Sequence, residues 1–196
     1  MWNIPNILTL LRILLIPVFV LIFYLPFGWA RVVCALVFAL AAVTDWLDGF
    51  LARRWSQTSP FGAFLDPVAD KLMVAVALLL LVQADHRAAL AIPAAVIIGR
   101  EITISALREW MAELGARARV AVSVIGKVKT AVQMVAILLL IYQQPLWDLP
   151  TYGIGFVLIY LAAILTLWSM VVYLRAAWPS LSGQGSSQAA PEEGEV

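Results

Sequence analysis

The chain has 196 residues, of which 63% are hydrophobic and 13% charged, with a mean hydropathy of +0.94. Soluble domains sit near half apolar and a quarter charged, so this balance excludes an ordinary soluble domain and predicts an all-α polytopic membrane protein. A single cysteine, Cys34 in an apolar run, excludes an intramolecular disulfide, a single histidine leaves no soft-ligand metal site, and the net charge of +1 says little about partners.

Residues 1–6 predict a short interfacial lead-in, with Trp2 at headgroup level and Pro5 at a helix start. A first span follows over 7–24, with no convincing small-residue cleavage site, so it reads as a retained helix and not a signal peptide. It carries Asn6, Thr9 and Arg12 at its N-terminal end. Arg12 has two readings: a side chain snorkelling to the headgroups, or support for a site. Pro26, Gly28 and Trp29 mark a turn, and a second span covers 31–52. A polar connection over 54–60 leads to a third span, 61–83, with Pro67 tolerated near its start. His86 falls in the next turn, where a solvated loop residue is expected.

The fourth span, 88–110, closes with Arg100, Glu101, Ser105, Arg108 and Glu109. Arg100 and Arg108 are two turns apart on one helical face, and arginines at membrane depth rarely serve packing alone. A basic linker leads to the fifth span, 120–142, where Ser123, Gly126, Lys127 and Thr130 follow helical spacing beside Lys129. A sixth span covers 152–174. The predicted organisation is one transmembrane catalytic domain over 1–178 and a small, polar, acidic and disordered tail over 179–196. Of thirteen Lys and Arg, only Arg31 and Arg87 fall at turns on the far side. The positive-inside rule therefore predicts six transmembrane helices with both termini cytoplasmic.

The most informative stretch joins the second and third spans. Asp45, Asp48, Gly49, Ala52 and Arg53 share one helical face, and Asp66 and Asp70 share another, with Gly62 a turn earlier. Carboxylates inside apolar spans are costly unless they do something. Two per helix on consecutive helices make an oxygen-lined cage for hard divalent cations such as Mg²⁺ or Mn²⁺. Gly49 and Ala52 lack bulk, so a nucleotide can lie against the backbone, Gly62 lets the helices approach, and Arg53 offers a planar fork for a phosphate or a cytosine carbonyl.

The run Asp45-x2-Asp48-Gly49-x2-Ala52-Arg53-x8-Gly62-x3-Asp66-x3-Asp70 matches, without departure, the signature of the CDP-alcohol phosphatidyltransferases. The opening Pro5-Asn6-x-Leu8-Thr9-x2-Arg12 and the segments REITISALREWMAELG and IGKVKT resemble the glycerophosphate-using branch of that family, so the resemblance covers about residues 3–175. It implies a phosphatidyl transfer from CDP-diacylglycerol to sn-glycerol 3-phosphate that releases CMP, by direct attack of the acceptor hydroxyl on the β-phosphorus. It also implies two divalent ions on Asp45, Asp48 and Asp66, Asp70 as the catalytic base with a possible share in one ion, and a CDP-diacylglycerol pocket of Asp45, Asp48, Gly49, Ala52, Arg53, Gly62 and Asp66. A homodimer in the bacterial cytoplasmic (inner) membrane, its active site facing the cytoplasm, is implied as well.

Arg100, Arg108, Lys127 and Lys129 are candidates for binding an anionic acceptor, against the plainer reading of positive-inside decoration. Asn6, Thr9 and Arg12 are candidate support on the substrate side. Inositol phosphate or phosphatidylglycerol as acceptor remains a rival within the same chemistry. Two further rivals are an intramembrane prenyltransferase, whose acidic motifs would lie farther apart, and a cation transporter, which would need polar groups on both membrane sides.

Overall fold

The computed structural model describes residues 4–55, 60–85, 88–113, 124–145 and 149–181. Within these helices the side chains of 4–6, 46, 48–55, 60, 61, 63, 112, 113, 124, 125, 127 and 176–181 are outside the description. The expectations for Trp2, His86, Arg87, Ser123 and residues 182–196 therefore fall outside the described residues, as do those for the side chains of Asn6, Asp48, Gly49, Ala52, Arg53 and Lys127.

The described chain is all-helical: α1 (Ile4–Phe23), α2 (Ala30–Trp55), α3 (Pro60–Asp85), α4 (Ala88–Glu113), α5 (Val124–Tyr142) and α6 (Thr151–Leu181). No strand occurs among the described residues. The helices run past the apolar stretches that predict them, because the polar motifs at their ends are helical too. A 26-residue helix such as α2 reaches about 39 Å, more than the roughly 30 Å of bilayer hydrocarbon. α6 continues to Leu181, taking in the first residues assigned to the tail. Among the described residues, two segments are apolar and long enough to cross a membrane, Ala88–Met111 and Thr151–Arg175, while Ile7–Phe23 and Val128–Tyr142 are shorter apolar segments.

Packing follows chain order only partly. α1 lies against α2 and α3, α5 sits between α2 and α6, and α4 touches α3 and α6. The core interleaves Phe19, Phe38, Leu78, Leu81, Ile97 and Ile137, all essentially inaccessible. Phe19 anchors it, with ring centroids 6.3 Å from Phe23 and 6.4 Å from Phe38. The outer surface is also apolar: Leu21 is 70% exposed, Leu79 66% and Val157 67%. Apolar inside and out is the pattern of a protein whose solvent is lipid.

The tightest approach is α5 against α6. A Cβ placed on Gly155 would sit 3.0 Å from the Leu139 Cβ and 3.1 Å from the Leu140 backbone nitrogen, so any larger residue would push α5 back by a few tenths of an ångström. Gln143 leaves α5 in the left-handed region at φ 56°, and its N–H donates to the Leu139 carbonyl at 3.2 Å, closing the helix end. Near this end Tyr152 donates to Asp85 at 2.8 Å and Tyr160 to the Ala89 carbonyl at 2.6 Å. The Arg31 guanidinium lies 4.5 Å from the Phe23 ring centroid. These contacts tie the turns opposite the aspartate motif, which leaves the motif end of the bundle for chemistry.

Candidate active site

The aspartates of α2 and α3 are held by α1. Antiparallel packing brings the N-terminal half of α1 alongside the C-terminal half of α2 and the start of α3. Thr9 then donates from its hydroxyl to Asp66 Oδ1, and one turn later Arg12 Nη1 donates to Asp45 Oδ1 at 2.8 Å. Thr9 is fully buried and Arg12 is 1% exposed. This corrects the snorkelling reading of Arg12: its charge turns inward to a carboxylate, because its buried guanidinium needs a charged partner and Asp45 is within reach. Asp70, one turn beyond Asp66, lies within electrostatic range of Asp45 and Arg12 on one side and of Glu101 and Lys71 on the other. Gly62 is buried a turn before Asp66.

These carboxylates supply only hard oxygen donors. Asp45 and Asp70 are close enough to repel each other as like charges, with Arg12 bonded to Asp45, and a divalent cation offsets such repulsion better than one guanidinium alone. The donor chemistry therefore fits Mg²⁺ or Mn²⁺. Among the described residues, no three His, Cys, Asp or Glu side chains converge on one point, and the Asp48 side chain is outside them.

A second polar cluster joins α4, α5 and α6. Glu101 Oε1 accepts from Arg100 Nη1 at 2.8 Å and from Lys129 Nζ at 3.2 Å. Arg100 Nη2 donates to Ser169 at 3.1 Å, while its Nε is buried without an acceptor. Arg108 stands with its guanidinium 5.4 Å from the Tyr173 ring centroid. Two of the four basic candidates, Arg100 and Lys129, thus meet at one carboxylate, and Arg108 leans on α6 two turns away. Two cations against one acid leave this cluster one positive charge in excess.

A cavity of about 530 Å³ lies between α3, α4 and α5 and connects the clusters. Its polar lining includes Asp70, Glu101, Ser105 and Gln133, and Leu72 and Ile102 on its apolar side are 45% and 66% exposed. One end therefore offers ionic groups and the flank meets the lipid-facing surface. Lys71 donates to Ser105 and so ties α3 to α4 at its wall.

Sequence reasoning missed three of these residues as site members. The sequence analysis gives Glu101 no role beyond closing the fourth span, and Lys71 and Gln133 none at all. The available signal was polarity within apolar helices, which for Glu101 and Gln133 points inward.

A family model for CDP-alcohol phosphatidyltransferase matches residues 2–168. A protein of Pectobacterium atrosepticum is 61% identical over 176 residues, which is 90% of this chain and 95% of that protein. One of Salmonella typhimurium is 58% identical over 183 residues, 93% of this chain and 99% of that protein. One of Yersinia enterocolitica is 59% identical over 182 residues, 91% and 97% respectively. All three carry the name CDP-diacylglycerol–glycerol-3-phosphate 3-phosphatidyltransferase.

Proposed function

This chain belongs to the CDP-alcohol phosphatidyltransferase family, and on that premise we propose how its polar residues divide the work of phosphatidyl transfer. It is a membrane enzyme that moves the phosphatidyl group of CDP-diacylglycerol onto sn-glycerol 3-phosphate, giving phosphatidylglycerophosphate and CMP. The family uses divalent metal ions.

Asp45, Asp48 and Asp66, with Asp70 at the edge, would hold two Mg²⁺ or Mn²⁺ ions. Bound there, such ions neutralise charge on the diphosphate and make CMP a better leaving group. Thr9 and Arg12 orient the acids from α1, with Asn6 beside them in sequence. Gly49, Ala52 and Gly62 keep the backbone open to the nucleotide, and Arg53 binds phosphate or cytosine. Arg100 and Lys129, backed by Arg108 and Lys127, grip the acceptor phosphate. Asp70 takes the proton from the acceptor hydroxyl as its oxygen bonds to the β-phosphorus and the bond to CMP breaks. The observation that carries this reading is the shared cavity: Asp70 and the Glu101 hub of the basic cluster line the same 530 Å³ space. A three-carbon phosphate would sit between Asp70 and Glu101, with Arg100 and Lys129 brought to that end of the cavity by their bonds to Glu101.

Six spans with both termini and the site facing the cytoplasm, in the bacterial cytoplasmic membrane, accord with the distribution of Lys and Arg. A homodimer completes the proposal by family resemblance.

The deciding experiment is an acceptor panel with radiolabelled CDP-diacylglycerol in detergent micelles. CMP release is expected with glycerol 3-phosphate and Mg²⁺ or Mn²⁺, and is lost with a chelator. Equal turnover with inositol phosphate or phosphatidylglycerol, or indifference to chelation, overturns the assignment.

A further inference from the structure

Of the buried polar groups that the mechanism above leaves unused, Gln133 is the one that lines the cavity. Gln133, on α5, is 5% exposed, its Oε1 is buried with no hydrogen-bond partner, and its side chain lines the cavity shared by Asp70 and Glu101. A buried carbonyl oxygen without a donor is a standing cost to the fold, and native proteins keep few of them without a reason. We propose that Gln133 determines acceptor specificity by receiving a hydrogen bond from the secondary hydroxyl of glycerol 3-phosphate. The inference rests on the functional reading above.

The chemistry of the acceptor narrows the choice. The phosphate dianion has no proton to donate, and the acyl esters of the lipid have none. Glycerol 3-phosphate carries two hydroxyls, of which the primary one gives its proton to Asp70 as it reacts. The secondary hydroxyl is the acceptor's own remaining donor, and it sits on the middle carbon, between the phosphate and the reacting oxygen; the ribose hydroxyls and cytosine amine of CDP-diacylglycerol belong to the nucleotide site proposed on α2 and α3. Gln133 is placed to match that secondary hydroxyl. It follows Lys129 by four residues on α5, so the two side chains are neighbours on one helical face. Lys129 belongs to the clamp through Glu101, and Asp70 stands on the cavity wall contributed by α3. An acceptor held between the Glu101 end of the cavity and Asp70 has Gln133 in the same lining.

The test compares glycerol 3-phosphate with 3-hydroxypropyl phosphate, which lacks only the secondary hydroxyl, by CMP release from CDP-diacylglycerol. A site built to bond a hydroxyl rejects the analogue without it, so wild-type kcat/KM is expected to fall about 10-fold or more for the analogue. Gln133→Met, close in size and without the acceptor oxygen, is expected to lower kcat/KM for glycerol 3-phosphate by a similar factor. It leaves the analogue within about 2-fold of its wild-type value, so the preference disappears. Equal use of both acceptors by the wild-type enzyme overturns the proposal, as does a Gln133→Met variant that loses activity equally on both. If Gln133→Met does not fold, the wild-type ratio and Gln133→Leu decide on the same terms. No CMP release with glycerol 3-phosphate by wild-type enzyme overturns the functional reading itself, whereas release without discrimination overturns the role of Gln133 alone.

Discussion

Lys129→Met separates a phosphate grip from a packing role. The Lys129 side chain is 6% exposed and its ammonium lies 3.2 Å from Glu101 Oε1, a carboxylate that Arg100 holds independently at 2.8 Å. Methionine preserves the buried stem, and Glu101 keeps a cation, so the variant folds without an orphaned charge. What disappears is one charged donor and the cluster's excess positive charge. A hydrogen bond to a charged group contributes about 1.5–3 kcal/mol, and each 1.36 kcal/mol is tenfold. The specificity constant for glycerol 3-phosphate is therefore expected to fall about 10- to 150-fold, mostly through acceptor KM, while KM for CDP-diacylglycerol stays within about 2-fold. Steady-state CMP release with each substrate varied in turn gives both constants. The double variant Lys129→Met with Glu101→Gln sharpens the test, because it restores the net charge without restoring the donor. Recovery of acceptor KM in the double variant refutes the grip and shows that Lys129 only neutralises Glu101. A fall in kcat with acceptor KM unchanged refutes it equally.

Arg12→Met tests the tie between α1 and the acids. Breaking a buried pair costs 3–5 kcal/mol, but the Asp45 side chain is 41% exposed and partly rehydrates, so about 2–3 kcal/mol is expected. At roughly 2–4 °C per kcal/mol, thermal unfolding in detergent should come about 4–12 °C earlier; an unchanged melting temperature refutes the tie. Asp70→Asn should lower kcat by about 10²–10⁴-fold, the range for a general base, with CDP-diacylglycerol binding retained in a direct binding assay. Normal turnover removes Asp70 from that role. Gly155→Ala should destabilise the α5–α6 contact by about 1–3 kcal/mol, because the new methyl meets the Leu140 backbone nitrogen at 3.1 Å. Acceptor KM should not move, and an unshifted melting temperature shows that the helices part at no cost.

What a linear chain reveals depends on how local the cause is. Helical periodicity is local, so the six helices were legible, as was the placing of Asp66 and Asp70 one turn apart on α3. The apolar outer surface was legible too, because composition reports the solvent a protein needs. Helix ends were less so: hydropathy falls at the polar motifs, whereas the backbone of α2 continues through them to Trp55.

Contacts between distant residues were another matter. Arg12 and Asp45 are 33 positions apart and Thr9 and Asp66 57, so nothing in either neighbourhood shows that α1 holds both acids. Glu101 gains Lys129, 28 positions away, only because that long side chain spans from α5 to α4, and Gln133 becomes a site residue only where α3, α4 and α5 line one cavity. The sequence by itself determined the chemistry on offer, an acid-rich motif in an oily helical chain with basic residues on one side. Tertiary structure decided which groups face one another, because burial, and with it the strength of every charge interaction, depends on how the helices pack.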